Sequence, residues 1–259
     1  MKNSIIDLVR KIIRKFGIDI VKYHTPYSPA SFPPDFDEDV ISTIIKVSNY
    51  TQTSIERIFA LCEAVRYIVA NNIEGDIVEC GVWKGGSMMA VAHTLLQLSD
   101  PDRNLYLFDT FEGMTEPTKN DVSVSGVLAF DLLNKSKKED RKSIWCYSTL
   151  EEVKASVNTT GYNQEKIYFV KGKVEDTIPE KAPSRIALLR LDTDWYESTR
   201  HELIHLIPRM SPLGVIIIDD YGHWQGARKA VDDYIKEHQV KILLNRIDYT
   251  GRIGVIYPK

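Results

Sequence analysis

Acidic side chains at the ends of apolar runs are the residues of this chain best suited to chemistry. The segment LYLFDTFEGM carries Asp109 and Glu112, LLRLDTDWYEST carries Asp192 and Asp194, and VIIIDDYGHW carries Asp219, Asp220 and His223. If the apolar runs are parallel strands, their carboxyl ends open on one crevice. Carboxylates in such apolar surroundings are costly unless they are hydrogen-bonded or paired with a cation. A single acid after a strand often only caps the next helix, and that reading serves for Asp194 or Asp220 alone. It serves poorly for the doublets Asp192/Asp194 and Asp219/Asp220 together. Four converging carboxylates suit a hard divalent cation, most simply Mg²⁺. No Cys/His cluster with zinc spacing competes with them. His223 titrates in the right range for a general base, although a lone His after a strand more often packs than reacts.

A second constellation lies earlier in the chain. The stretch Asp76–Ser87, DIVECGVWKGGS, runs from an apolar strand into Glu79, then into a loop with Gly81, Gly85 and Gly86, and then into a helical pattern. Strand, glycine loop and helix form the unit that binds nucleotide-like cofactors at a parallel strand's carboxyl end. The spacing is neither GxGxxG nor GxxxxGK[ST]. An acid beside the glycines suits a ligand bearing a cation and hydroxyls better than a pyrophosphate, and S-adenosylmethionine has a sulfonium, an amine and a ribose diol. The bland alternative is a plain tight turn. Asp109, more than 20 residues further on, stands where an acid grips ribose hydroxyls. In VKGKVEDTIPEK, Glu175 or Asp176 is a candidate for the adenine amine or for a helix cap.

Strands and helices must alternate to bring these residues together. The apolar runs predict strands at Asp76–Val82, Asn104–Asp109, Ile167–Lys171, Ile186–Asp192, Gly214–Asp220, Lys241–Ile247 and Arg252–Tyr257. Helical periodicity falls at Ser87–Leu98, Leu150–Asn158, Tyr196–Met210 and Gln225–His238, preceded by Asp37–Ser48 and Ser54–Asn72. Only DYTG, Asp248–Gly251, joins the last two strands. That is too short for a parallel crossover, so they form an antiparallel edge hairpin. The expectation is an α/β fold, a seven-stranded Rossmann-like sheet of the class I methyltransferase type. The polar insertion at about 112–148 reads equally as a lid or a solvated loop. Residues 1–50 read as an N-terminal helix, Ser4–Phe16, and a Pro-rich arm, with residues 51–259 as the catalytic domain. The helix is expected to pack on protein, in a homo-oligomer, rather than on a membrane.

Composition excludes several classes. A hydrophobic fraction of 43% supports a buried core, and a net charge of −3 provides no field for nucleic acid. The cysteines Cys62, Cys80 and Cys146 form no CxxC and read as reduced thiols of a cytoplasmic protein. No apolar run is long enough to span a bilayer, and the start does not read as a signal peptide.

Taken together, VECGVWKGGS, LFDTFEGM, VKGKVEDTIP, RLDTDWYEST, IIIDDYGHWQGARKAVDDY and RIGVIYPK resemble the macrocin O-methyltransferase family, from about Ser54 to the C-terminus. The resemblance implies S-adenosylmethionine as donor and Mg²⁺ held by Asp192, Asp219 and Asp220. It makes Asp194 the general base, with His223 as its rival. It assigns the cofactor to Glu79, Cys80, Gly81, Gly85, Ser87, Asp109, Thr110, Phe111, Glu175 and Asp192. The expected reaction is methylation of a sugar hydroxyl on a small-molecule glycoside. Its competitors are a catechol or other diol acceptor, for which the same metal logic works, and a catalytically silent scaffold.

Overall fold

The computed structural model describes residues 9–19, 32–140 and 143–257. The chain divides into two compact units, Met1–Asp37 and Glu38–Lys259. In the first unit, residues 9–13 are helical and Arg14–Phe16 form a 3₁₀ turn, which Gly17 ends at φ 74°. The remainder of the expected Ser4–Phe16 helix, and the arm as far as residue 31, lie outside the described residues.

The second unit carries a seven-stranded sheet in the order β3-β2-β1-β4-β5-β7-β6. Its strands are β1 (Asp76–Cys80), β2 (Leu105–Asp109), β3 (Ile167–Lys171), β4 (Ile186–Leu191), β5 (Met210–Ile218), β6 (Asn245–Arg246) and β7 (Arg252–Val255). The first five strands are parallel, and β7 runs antiparallel to both β5 and β6. Strand order reverses on either side of β1, so a crevice opens where β1 and β4 separate their following loops.

Eight helices of this unit are α1 (Glu38–Val47), α2 (Ile55–Ala70), α3 (Gly86–Gln97), α4 (Ala129–Asn134), α5 (Leu150–Asn158), α6 (Val174–Thr177), α7 (Tyr196–Leu206) and α8 (Gln225–His238). Two faces of the sheet are buried, as the continuous apolar strands require. On one face Val78, Leu189, Leu191, Ile216 and Ile218 pack with Leu203 and Leu206 of α7 and Val231 and Tyr234 of α8. The alternate residues Ile77, Leu188 and Ile217 are equally buried. On their side α2 packs against β4 and β5, and α1, α2 and α3 pack together. Ser54 starts α2 as anticipated, its side chain accepting from Arg57 N–H.

Three expectations shift. The helix expected to reach Met210 ends as α at Leu206 and becomes a 3₁₀ turn through Pro208, and Met210 opens β5. The sixth strand contracts to Asn245–Arg246, because it pairs with β7 alone at the sheet edge. The insertion is exposed along much of its length but structured. It contains α4, whose Ala129 and Leu133 are buried against Trp195 and Trp224, with Met114, Ile144 and Trp145 packed around them.

Candidate active site

A cavity of about 480 Å³ opens over the carboxyl ends of the parallel strands, within the size range of small-molecule sites. Its floor is built by strand-end hydrogen bonds that continue past the ladders: Gly81 N–H donates to Phe108 O at 2.9 Å, Asp192 N–H to Cys80 O at 2.8 Å, and Asp219 N–H to Leu191 O at 2.9 Å. The ends of β1, β4 and β5 are thereby aligned. At Gly81 a Cβ would lie 2.0 Å from Asp192 O, so only glycine allows β1 and β4 to approach this closely.

Of the residues assigned to the cofactor, Gly81, Ser87, Asp109, Thr110, Glu175 and Asp192 line the cavity. Asp109 also organises the glycine loop. Its Oδ2 accepts from Val82 N–H at 2.6 Å and Trp83 N–H at 3.1 Å, and its Oδ1 from Phe111 N–H at 2.6 Å. Burial pushes the Asp109 carboxyl up, and these backbone bonds oppose the shift. Glu79, Cys80, Gly85 and Phe111 are not among the residues that line it. Phe111 is buried and packs near Phe169, and Gly85 faces Val153 and Val157 of α5. Asp176 lies inside the short α6 rather than at its cap, which is Lys173.

Glu79 is 1% exposed and faces an arginine that the sequence reading did not single out. Arg190 sits beside it across the β1–β4 pair. Its Nη1 donates to Glu79 Oε1 at 2.7 Å and to Asp192 Oδ2 at 2.6 Å; its Nη2 donates to Thr53 Oγ1 at 3.1 Å and to Asp219 Oδ1. Burial opposes the Arg190 charge, but Asp192, Asp219 and Glu79 outweigh it and hold the guanidinium firmly protonated. Burial pushes Glu79 up to about 7 even so. Arg57 of α2 adds a second guanidinium, paired with Asp219 and, at 3.0 Å, with Asp248. The signal for Arg190 was available in RLDTDWYEST: a charged residue inside a strand that is otherwise apolar on both faces must have buried partners.

The two acidic doublets meet as expected. Carboxylate oxygens of Asp192, Asp219 and Asp220 lie within 4.8 Å of one another. Burial pushes the Asp192 and Asp220 carboxyls well up, and neighbouring acid charges add to the shift. Asp220 Oδ2 is buried without a hydrogen-bond partner. A donor set of hard oxygens, crowded and incompletely neutralised, fits a divalent cation. Asp194 adopts φ 66°, uncommon for a residue with a side chain and a mark of a constrained site. Burial first, and then the charge of Asp192, push its carboxyl up to about 7, opposed by hydrogen bonds with Asp220 and Trp224. His223 lines the same cavity; burial and then the Arg57 charge lower its pKa.

The insertion closes over this end. Ser123 and Trp224 form an antiparallel bridge. Val124 N–H donates to His223 O at 2.8 Å, and Gln225 N–H to Val122 O at 2.8 Å. Asp121, fully buried, accepts from Tyr196 N–H at 2.7 Å and Thr118 N–H at 2.6 Å. An insertion residue therefore satisfies the start of α7, a role its sequence position did not reveal.

Comparison with known proteins agrees with this geometry. The sequence profile of the macrocin-O-methyltransferase (TylF) family matches residues 33–257. The 8-demethyl-8-(2,3-dimethoxy-alpha-L-rhamnosyl)-tetracenomycin-C 4'-O-methyltransferase of Streptomyces olivaceus is 30% identical over 95% of this chain and 91% of its own length. The mycinamicin III 3''-O-methyltransferase of Micromonospora griseorubida is 28% identical over 78% of this chain and 76% of its own. Among solved structures, the O-methyltransferase NovP superposes with TM-score 0.69 at 25% identity, covering 99% of each chain. The calicheamicin methyltransferase CalS11 shares the fold, with TM-score 0.63 at 16% identity over 93% of this chain and all of that one.

Proposed function

Starting from the fact that the chain belongs to the macrocin-O-methyltransferase (TylF) family and is an O-methyltransferase, we propose that it methylates a sugar hydroxyl of a glycosylated natural product, with S-adenosylmethionine as donor and Mg²⁺ as the metal. The observation that carries the reading is one cavity holding both a glycine-loop half, with Gly81, Ser87, Asp109 and Thr110, and a carboxylate half, with Asp192, Asp219 and Asp220. The acceptor class rests on the relatives, since the Streptomyces olivaceus enzyme is named for a rhamnosyl-bearing compound.

Each residue then has a role its environment supports. Gly81, Ser87, Thr110 and Glu175 would hold the cofactor, and Asp109 would meet its ribose while tying down the loop at Val82 and Trp83. Glu79 would act on the cofactor side through Arg190 rather than by direct contact. Asp192, Asp219 and Asp220 would hold Mg²⁺. The cofactor supplies a methyl group on a sulfonium. The metal supplies Lewis acidity that makes a sugar hydroxyl more acidic. Asp194 would accept the hydroxyl proton on its carboxylate: at about 7 its pKa matches a neutral working pH, which favours a general base. His223, kept neutral by its lowered pKa, is the rival acceptor of that proton. Trp224, buried and hydrogen-bonded to Asp194, would limit the access of water to that carboxylate.

The test is methyl transfer from labelled S-adenosylmethionine to a panel of methyl glycosides and catechols, before and after EDTA. Transfer to glycosides that EDTA abolishes and Mg²⁺ restores is the expected result. Transfer to catechols alone would replace the acceptor, and a rate indifferent to EDTA would remove the metal.

A further inference from the structure

The turn between β6 and β7 is delivered to the site by strand direction. Because β7 runs antiparallel to β5, with Ile218 opposite Arg252, the residues that precede β7 arrive beside the carboxyl end of β5. Along the sheet the cavity therefore runs from Asp109 at β2, past Gly81 and Asp192, to Asp219, and ends at Tyr249. Tyr249 thus occupies the end of the cavity away from the glycine loop, one strand beyond the carboxylate cluster.

The backbone around this tyrosine is tied down. Thr250 Oγ1 donates to Asp219 O at 2.7 Å, and Gly222 N–H donates to Thr250 O at 2.9 Å. Asp248 Oδ1 accepts from Thr250 N–H at 2.9 Å and Gly251 N–H at 2.7 Å. Its Oδ2 accepts from Ser54 Oγ at 2.8 Å. The turn lies so close to the segment after β5 that a Cβ on Gly222 would meet Tyr249 O at 2.0 Å. The tyrosine on this fixed backbone is nevertheless 60% exposed. Its polar contact is with His223, whose Nδ1 lies 3.5 Å from the phenolic oxygen, with the two rings edge to face. Tightly fixing an exposed aromatic at the rim of a cavity gains no core packing. It does present a rigid, amphipathic surface to a ligand.

Building on the proposed sugar acceptor, we infer that Tyr249 is an acceptor-contact residue. The C–H face of a pyranose ring rests on the Tyr249 ring while the sugar's hydroxyl edge is turned to Asp192, Asp219 and Asp220. This favours sugars that present an apolar C–H face to the ring.

The experiment compares wild type, Tyr249→Phe and Tyr249→Ala with methyl α-L-rhamnopyranoside as acceptor, and measures S-adenosylhomocysteine affinity by calorimetry alongside. Tyr249→Ala is expected to raise the acceptor KM at least tenfold, with kcat within about threefold and S-adenosylhomocysteine affinity within twofold. Tyr249→Phe, which keeps the ring, is expected to retain the wild-type KM within about twofold. An unchanged KM in Tyr249→Ala overturns the inference, as does an equal loss in Tyr249→Phe. So does a fall in cofactor affinity to match, which would make Tyr249 part of the fold of the site. If wild type transfers methyl only to catechols, the sugar reading fails and this inference falls with it; if wild type uses the rhamnoside and Tyr249→Ala uses it with an unchanged KM, the inference alone fails.

Discussion

Asp194, partly buried, and Arg190, fully buried, answer to different demands. Asp194, in a left-handed backbone conformation with its pKa raised to about 7, is the proton acceptor of the proposed reaction. Asp194→Asn is expected to lower kcat by roughly 10²–10⁴-fold while leaving cofactor affinity intact. His223→Ala is expected to cost less, and the reverse ranking in steady-state turnover would make His223 the base. Arg190 instead neutralises the acids around it. Arg190→Met leaves Glu79, Asp192 and Asp219 without their shared partner, and removing one side of a buried ion cluster costs about 3–5 kcal/mol. Denaturant titration of the metal-free protein measures it. Because two of those acids are the proposed cation ligands, added Mg²⁺ should recover more of the melting temperature in the variant than in wild type. A loss near zero would mean that Arg190 is dispensable to the cluster.

Among the elements, the insertion between β2 and β3 is joined to the start of α7 through one buried acid. Asp121 accepts from the backbone of both Thr118 and Tyr196, and Gly226 leaves it room, since a Cβ there would lie 2.3 Å from Asp121 Oδ1. Asp121→Ala takes the acceptor from two part-buried N–H groups, those of Thr118 and Tyr196, a cost of up to about 1–3 kcal/mol for each one left without a partner. It is expected to speed hydrogen exchange and proteolysis within residues 112–148 while the parallel strands keep their protection. Uniform loss of protection across the sheet would show instead that the insertion and the core unfold as one unit.

For the molecule as a whole, stability should depend on pH through acids kept in the interior. Glu202 on α7 is fully buried; its Oε1 accepts from Thr193 Oγ1 at 3.0 Å, while Oε2 has no partner. Burial pushes its carboxyl well up. In the unfolded chain the same group ionises near its ordinary value. Above that value the unfolded state holds fewer protons than the folded one, so stability falls as pH rises until the folded pKa is passed. The slope is about 1.4 kcal/mol per pH unit for one such group. Glu202→Gln is expected to flatten the melting-temperature profile between pH 5 and pH 9 and to exceed wild type at the alkaline end. Parallel profiles would show that Glu202 does not set the slope. No helix among the described residues is long and apolar enough to cross a membrane.

The succession of strands and helices, the edge hairpin and the meeting of both acidic doublets were legible in the sequence. Apolar runs read as strands, DYTG is too short for a crossover, and acids after parallel strands must converge. Helices Leu150–Asn158 and Gln225–His238 were equally legible, because a 3.6-residue period and a following sheet strand agree there. Local pattern carries no information about which side of a strand end a carboxylate takes. Glu79 looked like a ligand contact but is not among the residues that line the cavity; it pairs with Arg190, the residue beside it in register on β4. The insertion looked polar along its length, yet Ala129, Leu133, Ile144 and Trp145 find apolar partners in Trp195 and Trp224, more than 40 residues away in the chain. Tyr249 read as one residue of a short turn. Its place at the far end of the cavity follows only from β7 running back along β5, a pairing that brings distant parts of the chain to the same edge.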